Sequence, residues 1–137
     1  MTLAREVIRS EAPKKEMRSE AYALRAGVYW NQINNEKAFN DFSPAIRLNP
    51  KRGYWFYARG RVLYTQRRFE DAAANFADAI ERKPTFLAAY DWLTKLRFRQ
   101  KKNNQGAQIQ ELRERMLKDP NQAGGVVDDL TGRIVPR

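Results

Sequence analysis

The sequence contains no cysteine and no histidine. Without cysteine there is no disulfide framework and no thiolate chemistry. Without histidine the chain lacks the commonest general base and the commonest metal ligand. No glycine-rich phosphate-binding loop is present, and the only adjacent glycines lie in the segment 123–125, close to the C-terminus. We therefore expect no enzyme, no metal site and no cofactor.

Long apolar runs are also missing. A membrane-spanning helix needs about 18 or more consecutive apolar residues, and the sequence has no such run, so we expect no membrane span. The opening MTLAREVIRSEAPKK carries charges within its apolar part, unlike a secretory signal. A cytoplasmic location is the simplest expectation, although a chain whose leader had been removed would look the same.

Positive charge is in excess and is unevenly distributed. The net charge is +10, and residues 51–102 hold 13 basic and 5 acidic side chains, whereas 1–50 and 103–137 are nearly balanced. A local excess of this kind attracts acidic partners, whether protein, nucleic acid or anionic lipid. A highly charged helical surface in water accounts for the same block equally well.

What the sequence does contain is a repeat. The stretches EKAFNDFSPAIRLNP (36–50) and EDAAANFADAIERKP (70–84) align without a gap at a 34-residue offset. The matched pairs are Tyr22 with Phe56, Ala26 with Gly60, Tyr29 with Leu63, Ala38 with Ala72, Phe42 with Phe76, Ala45 with Ala79, and Pro50 with Pro84. Each unit holds two apolar patterns of helical period separated by a polar turn, which is typical of a helical solenoid.

The residue types at these positions favour close packing of helices. Small residues allow two backbones to approach, large residues fill the space between turns, and a proline ends the second helix of each unit. A weaker third unit contains Tyr90, Thr94 and Arg97 and ends at Pro120, at a 36-residue interval from Pro84, so we place two extra residues near KKNNQG. The predicted helices are 3–11, 20–32, 36–48, 54–66, 70–82, 88–101 and 106–118.

This pattern resembles the tetratricopeptide repeat, a 34-residue unit whose signature is W-x2-L-G-x2-Y, A-x3-F and P. Tyr22 and Phe56 stand at the Trp position of the signature, and Arg25 and Arg59 stand at its Leu position. The resemblance implies an all-α, right-handed α-solenoid of helix pairs. We predict a capping helix and linker over 1–18, three repeats over 19–120 (19–52, 53–86 and a degenerate 87–120), and a flexible tail over 121–137.

The resemblance also implies a binding groove lined by the first helix of each pair. The 34-residue offset places Gly27, Arg61 and Lys95 in one row across that groove. Aromatic residues and arginine are the side chains that most often anchor interfaces. The predicted partner-binding residues are Trp30, Tyr54, Tyr57, Arg61, Tyr64, Asp91, Lys95 and Arg99. Trp55 and Trp92 are interpreted as packing between helices instead.

One activity of the resembled family is not expected. Its chaperone-tail binders hold a terminal carboxylate with a clamp of Lys, Asn, Asn, Lys and Arg. This chain has Ala23, Gly27, Ala58, Ala88 and Trp92 at those places. The sequence therefore predicts a binder of a different kind from the carboxylate-clamp co-chaperones.

The predicted function is that of an adaptor or scaffold that holds an acidic and apolar peptide or helix of a protein partner. The alternative is a nucleic-acid-associated protein that uses the basic block 51–102. Within that block KLRFRQKK (95–102) alternates basic and aromatic residues, as phosphate binding with base stacking requires. On a helix, however, its charges point to several faces. Self-association is left open.

Overall fold

The computed structural model describes residues 2–9 and 14–122, and all regular secondary structure in this part of the chain is helical. The helices are α1 (Thr2–Arg9), α2 (Lys15–Asn31), α3 (Asn35–Leu48), α4 (Gly53–Thr65), α5 (Phe69–Arg82), α6 (Leu87–Arg99) and α7 (Asn103–Lys118), followed by a short 3-10 turn at Pro120–Gln122. The all-α prediction is confirmed. The predicted tail lies outside the described residues from 123 onwards.

Helices α2 to α7 form three pairs, and the same turn joins the two helices of each pair. Ile33, Arg67 and Lys101, which are spaced by the repeat period, have left-handed backbone with φ of 59°, 62° and 61°. In the first turn the next amide, Asn34 N–H, donates to the Tyr29 carbonyl at 2.9 Å, and the other two turns make the equivalent bond. A left-handed residue after the last turn satisfies carbonyls that a helix end would otherwise leave unpaired.

The third pair is therefore in phase with the first two, and the predicted position of its two extra residues is wrong. The left-handed residue of KKNNQG lies one repeat period after its equivalent, so nothing is inserted there. The extra length lies at the far end of α7, because the ends of α5 and α7, at Arg82 and Lys118, are further apart than one repeat period. A terminal helix can lengthen into solvent because no following helix pair limits it.

Helix α2 begins at Lys15, five residues before the predicted start at 20. Its first turns, KEMRSE, are polar and lack an apolar period, so the sequence carried no signal for them. Ser19 is nevertheless buried, and its hydroxyl donates to the Glu16 carbonyl at 2.7 Å. That bond to the preceding turn satisfies a polar group that has no access to water.

The core follows the small-and-large pattern of the repeat. The alanines of the repeat are fully buried, and they belong to the same core cluster as the buried rings of Phe42 and Phe76. A Cβ atom added at Gly60 would lie 2.8 Å from the Phe76 ring, so the glycine is needed for the close approach of α4 and α5. The sequence-based packing prediction is confirmed at these positions.

A polar contact joins the two helices of the first pair and is repeated in the second. Arg25 donates to both carboxylate oxygens of Asp41, at 2.6 and 2.8 Å, and this bond raises the pKa of the arginine. One repeat later, Arg59 donates to the Asn75 amide oxygen at 2.7 Å. The pKa of Arg59 is lowered, because burial disfavours the charge and an amide offers less compensation than a carboxylate.

The second and third pairs are joined by a charged contact around Glu70. Lys102 Nζ donates to its carboxylate at 2.7 Å and Gln100 donates at 2.6 Å, while the buried Arg97 guanidinium lies 3.6 Å away. The pKa of Glu70 is lowered, chiefly by the hydrogen bond from Lys102. Burial opposes this shift, and the positive charges of Lys102 and Arg97 add to it.

This contact predicts an acid-dependent contribution to stability. A carboxylate whose folded pKa is depressed stabilises the fold above its unfolded pKa and loses that contribution as the pH falls through the folded pKa. We expect Glu70→Gln to cost up to about 1 kcal/mol at pH 7, since the side chain is 66% exposed, and progressively less as the pH falls through the folded pKa of the carboxylate. Urea unfolding of both proteins across this pH range measures the difference. Glu111→Gln, at an exposed position, is the control. If the Glu70→Gln variant were destabilised as much at low pH as at pH 7, the contact around Glu70 would not be the source of the pH dependence.

Candidate functional site

A cleft of about 680 Å³ opens between the first helices of the first two pairs. Its walls are Glu20, Ala23, Leu24, Gly27, Trp30 and Asn31 of α2, Phe42 of α3, and Tyr54, Trp55 and Arg61 of α4. The apolar side of the wall is unusually open to solvent, because Leu24 is 61% exposed and Tyr54 is 55% exposed. The carboxylate of Glu20 in this wall accepts a hydrogen bond from Arg52.

Arg61 lies at the centre of the row that the sequence predicted. Its guanidinium carbon is 4.3 Å from the centre of the Trp92 ring on α6 and 5.6 Å from that of Trp30 on α2. Its Nη1 donates to the Tyr57 hydroxyl at 2.9 Å. One cation therefore connects the first helices of all three pairs, and the aromatic faces hold it without neutralising its charge.

Lys95 extends the row onto α6. Its ammonium lies 4.8 Å from the centre of Trp92 and 5.8 Å from that of Tyr64. Tyr64 in turn packs edge-on against Trp92 at 5.0 Å. We call Trp30, Tyr57, Arg61, Tyr64, Trp92 and Lys95 the Arg61 cluster.

The two cations of the Arg61 cluster lack an acidic counterpart among the described residues. Within the part of the chain that the structure describes, no ion pair involves Arg61 or Lys95. The predicted acidic member, Asp91, instead accepts from Arg113 of α7 at 2.6 Å. Two uncompensated cations held against aromatic rings form a local site for negative charge.

Some predicted site residues lie outside this cluster, and one of its members is buried. Arg99 lies over Phe69 at the start of α5, 4.9 Å from the ring centre. Tyr57 is only 9% exposed and packs against Phe86 and Phe76, so its chief contact toward the cleft is the bond to Arg61. Tyr54 stacks on Phe86 at 6.4 Å while keeping much of its surface in the cleft.

Sequence reasoning missed two features of the site. Trp92 was interpreted as packing, and it does stack on Phe76 at 6.0 Å, but its ring also carries both Arg61 and Lys95. Leu24 and Gly27 were absent from the predicted set, although both line the cleft. The signal for Gly27 was available, because it is the equivalent of Arg61 and Lys95 in the repeat.

Several other cations of the basic block 51–102 already form ion pairs. Arg68 pairs with Asp71 at 2.9 Å, Arg82 with Asp78 at 3.5 Å, and Lys102 with Glu70 at 2.7 Å. Arg97 of KLRFRQKK is buried, whereas Lys95 in the same segment faces the Arg61 cluster. The cations of this segment therefore point to different surfaces, as the helical period predicted.

None of the described helices combines the length and the apolar character that crossing a bilayer requires. No protein-family model matches the sequence, and no curated protein resembles it in sequence. Solved structures do resemble it in fold. The structure of MamA has a TM-score of 0.71 and 17% identity over 76% of this chain, and the chain spans 61% of its length.

Two further solved structures are similar. The TPR domain of Arabidopsis OM64 has a TM-score of 0.68 and 18% identity, over 78% of this chain and 87% of that one. The TPR2B domain of yeast Sti1, solved as a complex with pHsp70, has a TM-score of 0.68 and 20% identity, over 77% and 85%. These likenesses and the three phased helix pairs show that the chain has the tetratricopeptide-repeat fold that its sequence predicted.

Proposed function

We propose that this chain is an adaptor that binds a protein partner in the cleft beside the Arg61 cluster. The observation that carries the proposal is the guanidinium of Arg61, held between Trp30 and Trp92 with no carboxylate of the described residues bound to it. A partner carboxylate would supply the missing charge in a bidentate geometry that arginine favours. The exposed apolar surface of Leu24 and Tyr54 would receive a neighbouring apolar side chain.

The chemistry of the cleft supports a binding role for this chain. Its walls combine aromatic rings, aliphatic surface and cations, which are the groups that anchor interfaces. Glu20, the carboxylate among these wall residues, is bonded to Arg52. These groups position a partner without offering a nucleophile beside a base, which covalent catalysis requires.

The test is selection of a random peptide library on the intact chain, followed by calorimetry with the selected peptides. We expect peptides that contain acidic and apolar residues. Arg61→Ala should remove a charge-assisted contact of about 1.5–3 kcal/mol, which is roughly a 10- to 150-fold loss of affinity. The fold should survive, because the guanidinium packs on rings at the edge of the cleft.

Arg47→Ala is the matched control, because Arg47 is exposed in the last turn of α3. If Arg47→Ala weakens binding and Arg61→Ala does not, the partner uses another surface. Duplex DNA is the second probe: binding that falls steeply with salt and ignores Arg61→Ala would favour the nucleic-acid alternative.

A further inference from the structure

The strongest unexplained feature of the cleft is a glycine. Gly27 lies in the interior of α2, where glycine is less favourable than alanine because it loses more backbone freedom on folding. Among the described residues, the other glycines have a packing reason. A Cβ atom would lie 3.1 Å from the Ala79 carbonyl at Gly53, 2.8 Å from Phe76 at Gly60, and 3.0 Å from Phe98 at Gly106.

Gly27 has no such reason within the described part of the fold. Apart from its chain neighbours and the adjacent backbone of α2, a Cβ atom built there would have no atom of this part within 4 Å, and the residue lines the cleft. It lies between the exposed Leu24, three residues earlier, and Trp30, three residues later, on the same face of α2. The missing side chain therefore leaves a recess in the cleft wall. At the other described glycines, by contrast, it allows a neighbouring group to approach the helix closely.

We infer that Gly27 is a specificity-determining residue, which receives one bulky apolar side chain of the partner and fixes the register of the acidic residues beside it. This inference rests on the proposed function of the cleft. The recess is flanked by Leu24 and Tyr54, whose exposed apolar surface would be covered by that side chain. The charged side of the partner must lie toward Arg61 and away from Glu20.

The row of repeat equivalents sets the order of the contacts. Gly27, Arg61 and Lys95 occupy the same position on α2, α4 and α6. A segment that crosses the row therefore presents its apolar side chain at Gly27 on α2 and its acidic side chains toward Arg61 on α4 and Lys95 on α6.

The occupant is thus a peptide segment of a protein partner, with one bulky apolar residue and with acidic residues on the side that faces α4 and α6. Its negative charge complements Arg61 and Lys95, which form no ion pair within the described part of the chain. The apolar side chain at Gly27 fixes where these acidic residues lie along the row.

The experiment uses the peptides selected on the intact chain and compares two cleft variants. Gly27→Trp fills the recess and should weaken these peptides by roughly 10-fold or more, the equivalent of one buried apolar side chain. Gly27→Leu should also weaken binding, although its smaller side chain fills less of the recess. Both should fold, because the added atoms enter open space. Replacing the glycine should even raise the melting temperature by roughly 2–4 °C.

Gln108→Trp on α7 is the control, since Gln108 is exposed on a helix that does not line the cleft. The inference is supported if the selected peptides combine a bulky apolar residue with acidic residues and lose affinity for both Gly27 variants but not for Gln108→Trp. It is overturned if peptides that depend on Arg61 bind the Gly27 variants as tightly as the unmodified chain. If neither Arg61→Ala nor the Gly27 variants change affinity, the proposed cleft itself is wrong.

Discussion

Replacing Asp41 with alanine is expected to lower the free energy of unfolding by about 3 kcal/mol, because it leaves the partner of a buried ion pair uncompensated. Asp41 is buried, and Arg25 reaches it through two hydrogen bonds of 2.6 and 2.8 Å. The arginine comes from α2 and the aspartate from α3, so the pair fixes one helix against the other. Denaturant unfolding followed by circular dichroism measures the loss.

Two companion variants distinguish the effect of the Asp41 charge from that of its hydrogen bonds with Arg25. Asp41→Asn should cost less than Asp41→Ala, because the second helix pair already uses the same arrangement with Arg59 and Asn75. The double variant Arg25→Leu with Asp41→Ala should recover much of the loss, since a buried ion pair is often replaced by apolar residues without penalty. A cost for Asp41→Ala below that of Asp41→Asn would show that the pair does not stabilise the fold.

The same pair shows what a repeat does and does not predict. The 34-residue period indicated the helices, the turns and the small-and-large core, because backbone packing at each position depends on side-chain size. Arg25 and Arg59 were recognised as departures from the leucine of the signature. Their partners, Asp41 and Asn75, were not identified, although the two partners lie at the same distance along the chain from their arginines. The repeat was recognised from its apolar residues, and such a pattern does not indicate which polar residue of the next helix binds each arginine.

The site was predictable to the extent that it follows the repeat. Arg61 and Lys95 were expected to be neighbours as equivalents one unit apart, and both contact Trp92 in the structure. The orientation of Trp92 could not be read from the sequence, because one face of its ring packs in the core while the ring also supports cations. The recess at Gly27 depends on the absence of atoms around a glycine, which only coordinates describe.

Phe76 is the residue whose loss should most strongly affect both the fold and the site. Its ring is fully buried, contacts the α4 backbone at Gly60, and stacks on Trp92 of α6 at 6.0 Å. It therefore joins the second helix pair to the third, in addition to filling the core of its own pair. Since each unit of a solenoid is stable only against its neighbours, a defect at this junction weakens the whole stack.

Phe76→Ala is expected to lower the free energy of unfolding by about 3–5 kcal/mol, through lost burial and the cavity left behind. This corresponds to a fall in melting temperature of roughly 10–15 °C for a domain of this size. Circular dichroism and tryptophan fluorescence should still report one transition, because the remaining pairs cannot persist alone. Leu117→Ala, at an exposed position of α7, should change the melting temperature little. A loss below about 1 kcal/mol for Phe76→Ala, which is typical of a surface change, would place the junction elsewhere. In that case the contact with Phe76 would not be what holds the Trp92 ring beside Arg61 and Lys95.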